Sequence, residues 1–192
     1  MNYGETLVYW YLRLNGFFPL TNFVLHKSDG IEYTSDCDIL AVRPPFVYEE
    51  IGGKSGDWDT WLSTHIKSGK TLGVICEVKT GDYDPKKLFR PECVAYSVKR
   101  LGMTDDENEI TRIVSGGSVV AVNKTYTIIK LLVANHRANG NFIYCGMKDV
   151  IQFLLDRIEK YPAEKYRDRM FFNSILFQGL IEIKKMRGAL RI

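Results

Sequence analysis

The sequence lacks a hydrophobic run long enough to cross a membrane, and its first residues do not form a charged leader followed by a cleavage site. It also has only four cysteines, at positions 37, 76, 93 and 145, and they are widely scattered. That spacing fits neither a zinc site nor a disulfide framework, and it suits a reducing compartment. We therefore expect a cytoplasmic protein with no membrane partner.

The sequence also has few histidines and only a small net charge. The three histidines show no ligand spacing, and a net charge of +3 from 26 basic and 23 acidic residues does not by itself indicate nucleic acid. There is no internal repeat. With 192 residues, of which 45% are hydrophobic, the chain can bury one good core. We expect a core over residues 1–150, with an insertion at about 44–71, and C-terminal helices over 151–192 that belong to the same domain.

The most informative stretch is 72–81, where an apolar run rich in valine and isoleucine ends in an acid and a lysine. We predict a buried strand with Glu77 and Lys79 on one face, because side chains alternate along a strand. Burying a carboxylate and an ammonium group is costly unless they are paired or bound to something else. A metal ion and a phosphate would be such partners, whereas an ion pair on the sheet surface is the structural alternative.

A second predicted strand, residues 33–42, carries Asp38 immediately before an apolar run. This position places Asp38 inside a buried strand and makes it another candidate for a functional acid. Asp36 shares its strand face and is better interpreted as a peripheral charge. Either acid could instead be an edge-strand charge that prevents aggregation.

The spacing of Glu77 and Lys79 occurs three times in the chain as an acid-x-lysine triplet, so the spacing alone carries little information. The triplet that begins at Asp84 contains a proline, which predicts a loop or the start of a helix. The triplet that begins at Glu182 lies in a helix-like segment with further basic residues, which predicts a solvated face. Only Glu77 closes a Val/Ile-rich strand and follows a strand that carries an acid.

Glu5 is a further candidate acid, on a predicted helix over residues 3–14. This segment is apolar nearly all round, so the helix is expected to be buried. At helical spacing Glu5 shares a face with apolar residues, which is an expensive position for a lone acid. The sequence leaves a local interpretation open, in which Asn2 is the N-cap and Glu5 completes a capping box.

The order of Asp38 followed by Glu77-Val78-Lys79 resembles the PD-(D/E)XK nuclease superfamily, the restriction-endonuclease-like phosphodiesterases. The resemblance implies an αβββαβ core, and residues 3 to about 134 can be interpreted in that order. Several branches, including Holliday-junction resolvases and Mrr-like restriction enzymes, have a glutamate on the first helix that reaches the metal site, and Glu5 resembles it. The chain departs from the family in one respect, since Cys37 rather than proline precedes Asp38.

We therefore expect an α/β protein with a restriction-endonuclease-like αβββαβ core and a mixed central sheet flanked by helices. The predicted strands include 23–25 and 125–134, with a hairpin turn at 28–30. The insertion contains Trp58 and Trp61, which either stack on bases or help to build a packed cap. Helices are predicted over 85–101, 147–161 and 166–186, and residues 115–118 are predicted to form a turn between extended runs.

The residue types indicate the chemistry, because carboxylate oxygens favour magnesium or manganese over zinc. We expect Asp38, Glu77 and the backbone carbonyl of Val78 to hold one Mg²⁺ or Mn²⁺ ion, with Glu5 completing the site or holding a second ion. The metal would polarise the phosphate and activate a water molecule. Lys79 would either orient that water or neutralise the charge of the phosphorane. The resemblance further implies products with a 5′-phosphate and a 3′-hydroxyl.

The expected function is that of a metal-dependent nuclease, with DNA as the substrate and RNA as the alternative. Two other classes remain open: a non-catalytic nucleic-acid-binding subunit with a nuclease-like fold, and an unrelated α/β protein in which Glu77 and Lys79 form a structural pair. Cutting both strands of a duplex normally needs two active sites, so we also expect a homodimer. An apolar C-terminal helix would either pair two subunits or pack on the sheet. Its apolar residues are Met170, Phe171, Phe172, Ile175, Leu176, Phe177, Leu180, Ile181 and Ile183.

Overall fold

A mixed sheet, with six strands in the described part of the chain, lies at the centre of the fold. The structure is a computed structural model that describes residues 2–26, 33–48, 56–66, 69–161 and 175–189. The strands are β1 (Phe18–His26), β2 (Tyr33–Arg43), β3 (Thr71–Lys79), β4 (Val119–Ala121), β5 (Tyr126–Ala134) and β6 (Ile143–Gly146). Strands β1, β2 and β3 are antiparallel, and β5 lies parallel to β3. Beyond β5, β4 pairs antiparallel with its first half and β6 parallel with its second half.

Helices cover both faces of the sheet. They are α1 (Tyr3–Leu14), α2 (Thr60–Ser63), α3 (Pro91–Leu101), α4 (Glu107–Ser115), α5 (Met147–Lys160) and α6 (Ile175–Ala189). Helices α1 and α5 pack on one face, and α3 and α4 pack on the other. The prediction of an α/β protein with a mixed sheet flanked by helices is confirmed. No helix within the described ranges combines the length and the apolar character needed to cross a membrane.

Strand β3 is buried on both faces, which explains why its sequence does not alternate between apolar and polar residues. Val74, Cys76 and Val78 contribute to the core under α1 and α5, whereas Ile75 contributes to the core under α3. Because the strand continues to Lys79, its last polar residues emerge from this buried run at the carboxyl end.

The predicted helix over 85–101 is wrong as a single element. A 3₁₀ turn at Pro85–Lys87 is followed by an extended Leu88, and α3 begins only at Pro91. Proline cannot donate the backbone hydrogen bond that a continuous helix needs, and it favours an extended residue before it. Arg90 is extended accordingly, with φ −53° and ψ 140°.

The extended run predicted before residues 115–118 is also wrong, because residues 107–115 form α4. The side chain of Asp106 caps this helix by accepting the backbone N–H of Asn108. Ile110 and Ile113 are three positions apart and are both buried against the sheet. The sequence therefore contained an N-cap and a helical period that the interpretation as a strand overlooked.

The insertion at 44–71 packs on α1 and extends to the end of α5. The hydroxyl of Tyr11 donates to Asp59 at 2.8 Å, and the backbone N–H of Asp59 donates to the Asn15 side chain at 2.7 Å. Trp61 packs against the main core, and the guanidinium of Arg43 lies 5.3 Å from the ring centroid of Trp58. The described part of the insertion is thus a packed cap, and both tryptophans contribute to it.

Other predicted bounds differ in detail from the structure. The first strand is longer than residues 23–25, and helix α5 ends one residue before the predicted position. The hairpin turn at 28–30, residues 162–174 and the side chain of Asp36 lie outside the described part. The last helix is described from Ile175, so Met170, Phe171 and Phe172 lie outside it too.

Candidate active site

One ammonium group bridges two carboxylates near the carboxyl end of β3. Lys79 Nζ lies 2.8 Å from Glu77 Oε2 on the same strand and 2.9 Å from Asp38 Oδ2 on β2. We call these three residues the acid–lysine cluster. The structure thus brings together three of the four side chains that the sequence singled out.

The cluster forms where the pairing of β2 with β3 ends. That pairing reaches Ile39 opposite Cys76, whereas the pairing of β3 with β5 continues to the last residue of β3. The backbone N–H of Val78 then donates to Asp38 Oδ2 at 2.6 Å, so a side-chain carboxylate replaces a backbone acceptor. Because the N–H and C=O groups of one strand residue point to the same edge, the Val78 carbonyl faces the β2 side as well.

Glu77 is the most buried member of the cluster, with 8% of its side chain exposed. Burial raises the pKa of Glu77 above its ordinary value, and the nearby Asp38 adds to the rise. The charge and hydrogen bond of Lys79 and a hydrogen bond from the backbone of Phe89 act in the opposite direction without cancelling it. The ionised form of Glu77 therefore depends on positive charge beside it.

Lys79 stays protonated at neutral pH. Burial acts to lower the pKa of its ammonium group, but the charges and hydrogen bonds of Glu77 and Asp38 outweigh burial and raise the pKa above its ordinary value. A protonated lysine has hydrogen-bond donors and no acceptor. Lys79 can therefore supply positive charge and donate hydrogen bonds, but it cannot accept a proton from water.

The loop after β3 covers the cluster with apolar side chains. Phe89, whose backbone hydrogen-bonds Glu77, has a left-handed φ of 47°, which is uncommon for a residue other than glycine. Its ring stacks on Phe142 at a centroid distance of 5.3 Å, and both pack with Leu132, which lies opposite Glu77 in the register of β5. Sequence reasoning missed Phe89, because a backbone donor leaves no signal in the residue type.

Glu5 lies on the first turn of α1 and forms the capping box that the sequence left open. Its backbone N–H donates to Asn2 Oδ1 at 3.0 Å, and its carboxylate accepts the Asn2 backbone N–H at 3.2 Å. The start of α1 lies close to the end of β3. The approach is so close that a Cβ atom on Gly4 would collide with the side chain of Thr80. Within the described ranges, however, no group of three His, Cys, Asp or Glu side chains is arranged to hold a metal ion. The structure thus does not bring Glu5 into one ligand group with Asp38 and Glu77.

The donors of the cluster nevertheless fit a magnesium or manganese ion. Two carboxylates from neighbouring strands converge, and the Val78 carbonyl faces the same side. Magnesium is commonly bound by one or two carboxylates, with water and substrate phosphate as the remaining ligands. The raised pKa of Glu77 shows in addition that this buried acid is not fully compensated by Lys79.

The two other acid-x-lysine triplets have structural roles. The Asp84 side chain accepts the backbone N–H of Lys86 at 3.0 Å and caps the 3₁₀ turn, as the predicted loop or helix start implies. The solvated face predicted at Glu182 is wrong for Lys184, whose ammonium group donates to the carbonyls of Ile158 and Tyr161 at the end of α5. Neither lysine lies between two carboxylates in the described part of the chain.

Comparison with known proteins gives no relative. No protein-family model matches the chain, no curated protein matches it, and no solved structure matches it. Any assignment of function therefore rests on the geometry of the acid–lysine cluster and on its resemblance in sequence.

Proposed function

We propose that this chain is a metal-dependent nuclease of the restriction-endonuclease-like kind, with DNA as its substrate and RNA as the alternative. The observation that carries the proposal is the position of Lys79 Nζ between Asp38 and Glu77, within 2.9 Å of both carboxylates. A surface ion pair needs only one acid and contributes little. Here two carboxylates share one lysine, and the raised pKa of the buried Glu77 means that its ionised form destabilises the metal-free protein. Buried acids with a shifted pKa are concentrated at functional sites.

The order of elements supports the same proposal. Helix α1 is followed by three antiparallel strands, then by α3, and then by β5 beside β3. This order is compatible with the helix, three strands, helix and strand that the resemblance implies, with α2 added between β2 and β3 and with α4 and β4 added before the last strand. The two acids and the lysine lie on the second and third strands of that series.

The residues divide the work by their chemistry. Asp38, Glu77 and the Val78 carbonyl would hold the divalent ion, which when bound polarises the scissile phosphate and lowers the pKa of a water molecule. Lys79, which stays protonated, would donate a hydrogen bond to a phosphate oxygen and stabilise the charge that develops there. A protonated Lys79 suits both roles that the sequence left open, since its ammonium group can neutralise charge on the phosphorane or orient the water by donating a hydrogen bond.

The decisive experiment is incubation of the purified protein with supercoiled plasmid, branched DNA and RNA, with and without Mg²⁺ or Mn²⁺. We expect metal-dependent cleavage of at least one substrate and no cleavage by Lys79→Ala. Lys184→Ala is the matched control, because it changes the lysine of another triplet. Metal-independent cleavage, or equal cleavage by Lys79→Ala, would contradict the proposal. Binding of nucleic acid without cleavage by the folded wild type would favour the non-catalytic subunit.

A further inference from the structure

A pocket of about 460 Å³ opens beside the acid–lysine cluster, between the loops that follow β3 and β5. These strands are parallel neighbours, so both loops leave the sheet at the same edge. Ligands of open α/β sheets bind characteristically outside the carboxyl ends of the strands. The pocket is lined by Asp82, Tyr83, Pro85, His136, Arg137, Ala138 and Asn139.

Hydrogen bonds tie the two walls of the pocket to each other and to Lys79. The hydroxyl of Tyr83, on one wall, donates to the carbonyl of His136 on the other. The backbone N–H of Asn135 donates to the Lys79 carbonyl at 3.3 Å, and its side chain donates to the Thr80 carbonyl at 2.6 Å. These hydrogen bonds hold the two walls together. The second wall begins at His136, the residue that follows Asn135, the hydrogen-bond partner of the Lys79 carbonyl.

The residues that line the pocket include one permanent cation, Arg137. Its guanidinium is exposed, lies 6.0 Å from the ring centroid of Tyr144 and forms no ion pair within the described part of the chain. Lys86, Lys87 and Arg90, on the segment that follows Pro85, are likewise exposed.

Three acids lie between residues 82 and 92, namely Asp82, Asp84 and Glu92, and only Asp82 lines the pocket. The carboxylate of Asp84 caps the 3₁₀ turn, so its charge is directed at backbone N–H groups. Asp82 lines the pocket and is exposed. Residues 82–92 and Arg137 together carry four cations and three acids, and Arg137 is the cation of the lining that is available to a phosphate entering next to Lys79.

We propose that this pocket binds the nucleotide next to the scissile phosphate, with Arg137 contacting its phosphate group and the ring of Tyr83 forming its apolar wall. This inference rests on the proposed function. The volume lies within the range of small-molecule sites, and aromatic walls accept any base because every base has a π face. One phosphate contact contributes to affinity in a way that depends on salt.

The test of the phosphate contact measures binding without metal, which prevents cleavage. Fluorescence anisotropy with a labelled oligonucleotide is recorded over a series of salt concentrations for the wild type, Arg137→Gln and Lys124→Gln. Lys124 is an exposed lysine in the turn before β5, at the opposite end of that strand, and serves as the control. We expect Arg137→Gln to reduce the slope of log K against log salt by about 0.7 to 0.9 and to weaken binding several-fold at low salt. Equal slopes for both variants would overturn the proposed contact.

The test of the apolar wall compares Tyr83→Phe with Tyr83→Ala. The first variant keeps the ring and loses only the hydrogen bond to His136, whereas the second removes the wall. We expect Tyr83→Ala to weaken binding by about fivefold or more while Tyr83→Phe stays near the wild type. Equal affinity of folded Tyr83→Ala and Tyr83→Phe would overturn this part of the proposal.

Cleavage separates this proposal from the proposed function. If the wild type cleaves but Arg137→Gln keeps the KM of Lys124→Gln, the pocket is not part of the substrate site and the nuclease proposal stands. If Arg137→Gln alone weakens binding but the wild type never cleaves, the nuclease proposal fails and the pocket stands as a nucleic-acid site. If the wild type neither binds nor cleaves, both proposals fail.

Discussion

Replacement of Lys79 by alanine should separate metal binding from catalysis. The variant loses the ammonium group that lies 2.8 Å from Glu77 and 2.9 Å from Asp38. Three effects should follow together: lower stability without metal, tighter binding of magnesium and loss of cleavage. A purely structural ion pair would produce only the first.

The expected stability change follows from the exposure of the pair. Removing one partner of a fully buried ion pair costs about 3–5 kcal/mol. Lys79 keeps 29% of its side chain exposed, and Glu77 can take up a proton when the lysine is absent, so we expect about 2 kcal/mol. For a chain of this size, that corresponds to a Tm lower by about 4–8 °C.

The expected metal effect has the opposite sign. A positive charge about 4 Å from a divalent ion opposes its binding by about 2 kcal/mol even in water, so Lys79→Ala should bind magnesium about tenfold more tightly or better at a pH high enough to keep Glu77 ionised. The loss of a positioned charge at the reacting phosphate should lower the rate by a factor of about 100 or more.

Thermal unfolding with and without Mg²⁺, calorimetry and a plasmid assay measure the three effects. Lys86→Ala is the control, since Lys86 holds the same place in another triplet and its ammonium group has no carboxylate partner among the described residues. This control should leave stability, magnesium affinity and the rate at saturating substrate unchanged. The reasoning would be refuted by wild-type turnover in Lys79→Ala, or by magnesium affinity that stays the same when the lysine is removed.

Four further changes test other parts of the structure. Glu77→Gln should stabilise the metal-free protein at neutral pH, because the raised pKa of Glu77 means that the wild type loses stability as the pH rises and this carboxyl group ionises. The gain in Tm should vanish below pH 4.5, the ordinary pKa of the group, and a difference in Tm that stays constant over pH 4–8 would contradict the prediction. Asp38→Ala should weaken magnesium and manganese binding in calorimetry, and unchanged affinity would remove Asp38 from the site. Lys184→Ala should cost about 1–3 kcal/mol by removing the donor at the end of α5, with unchanged turnover per folded molecule. If α6 pairs two subunits, Ile175→Glu should convert a dimer into a folded monomer in light scattering, since the Ile175 side chain is 87% exposed; a monomeric wild type would exclude this role.

The central strand and the acid–lysine cluster could be predicted because strong local patterns specify them. A run of valine and isoleucine needs burial on both sides, and the alternation of a strand then puts Glu77 and Lys79 on one face. The approach of Asp38 to Glu77 and Lys79 was also predictable, since consecutive antiparallel strands are usually neighbours. Its hydrogen bond to Val78 was not, because that bond depends on where the pairing of β2 with β3 ends.

Features that depend on distant contacts escaped the sequence. Lys130 lies within an apolar strand and is buried, and its ammonium group donates to the carbonyls of Gly116 at 2.8 Å and Ile113 at 3.2 Å. Burial lowers the pKa of this lysine, yet three carbonyl partners satisfy its donors. No local pattern indicates that the end of α4 would meet this side chain. The sequence left the role of Glu5 open for the same reason, since a glutamate three residues after Asn2 is compatible both with a capping box and with a metal ligand.

The bond between the Val78 amide and the Asp38 carboxylate makes one backbone proton a reporter of the site. An amide that donates to a charged oxygen at 2.6 Å has a chemical shift that follows the charge of that oxygen. Arrival of a cation or movement of β2 away from β3 would each change the Val78 signal in a nitrogen–proton spectrum. A metal titration followed at this one resonance therefore observes the candidate site in the ¹⁵N-labelled protein, without a substrate or a mutation.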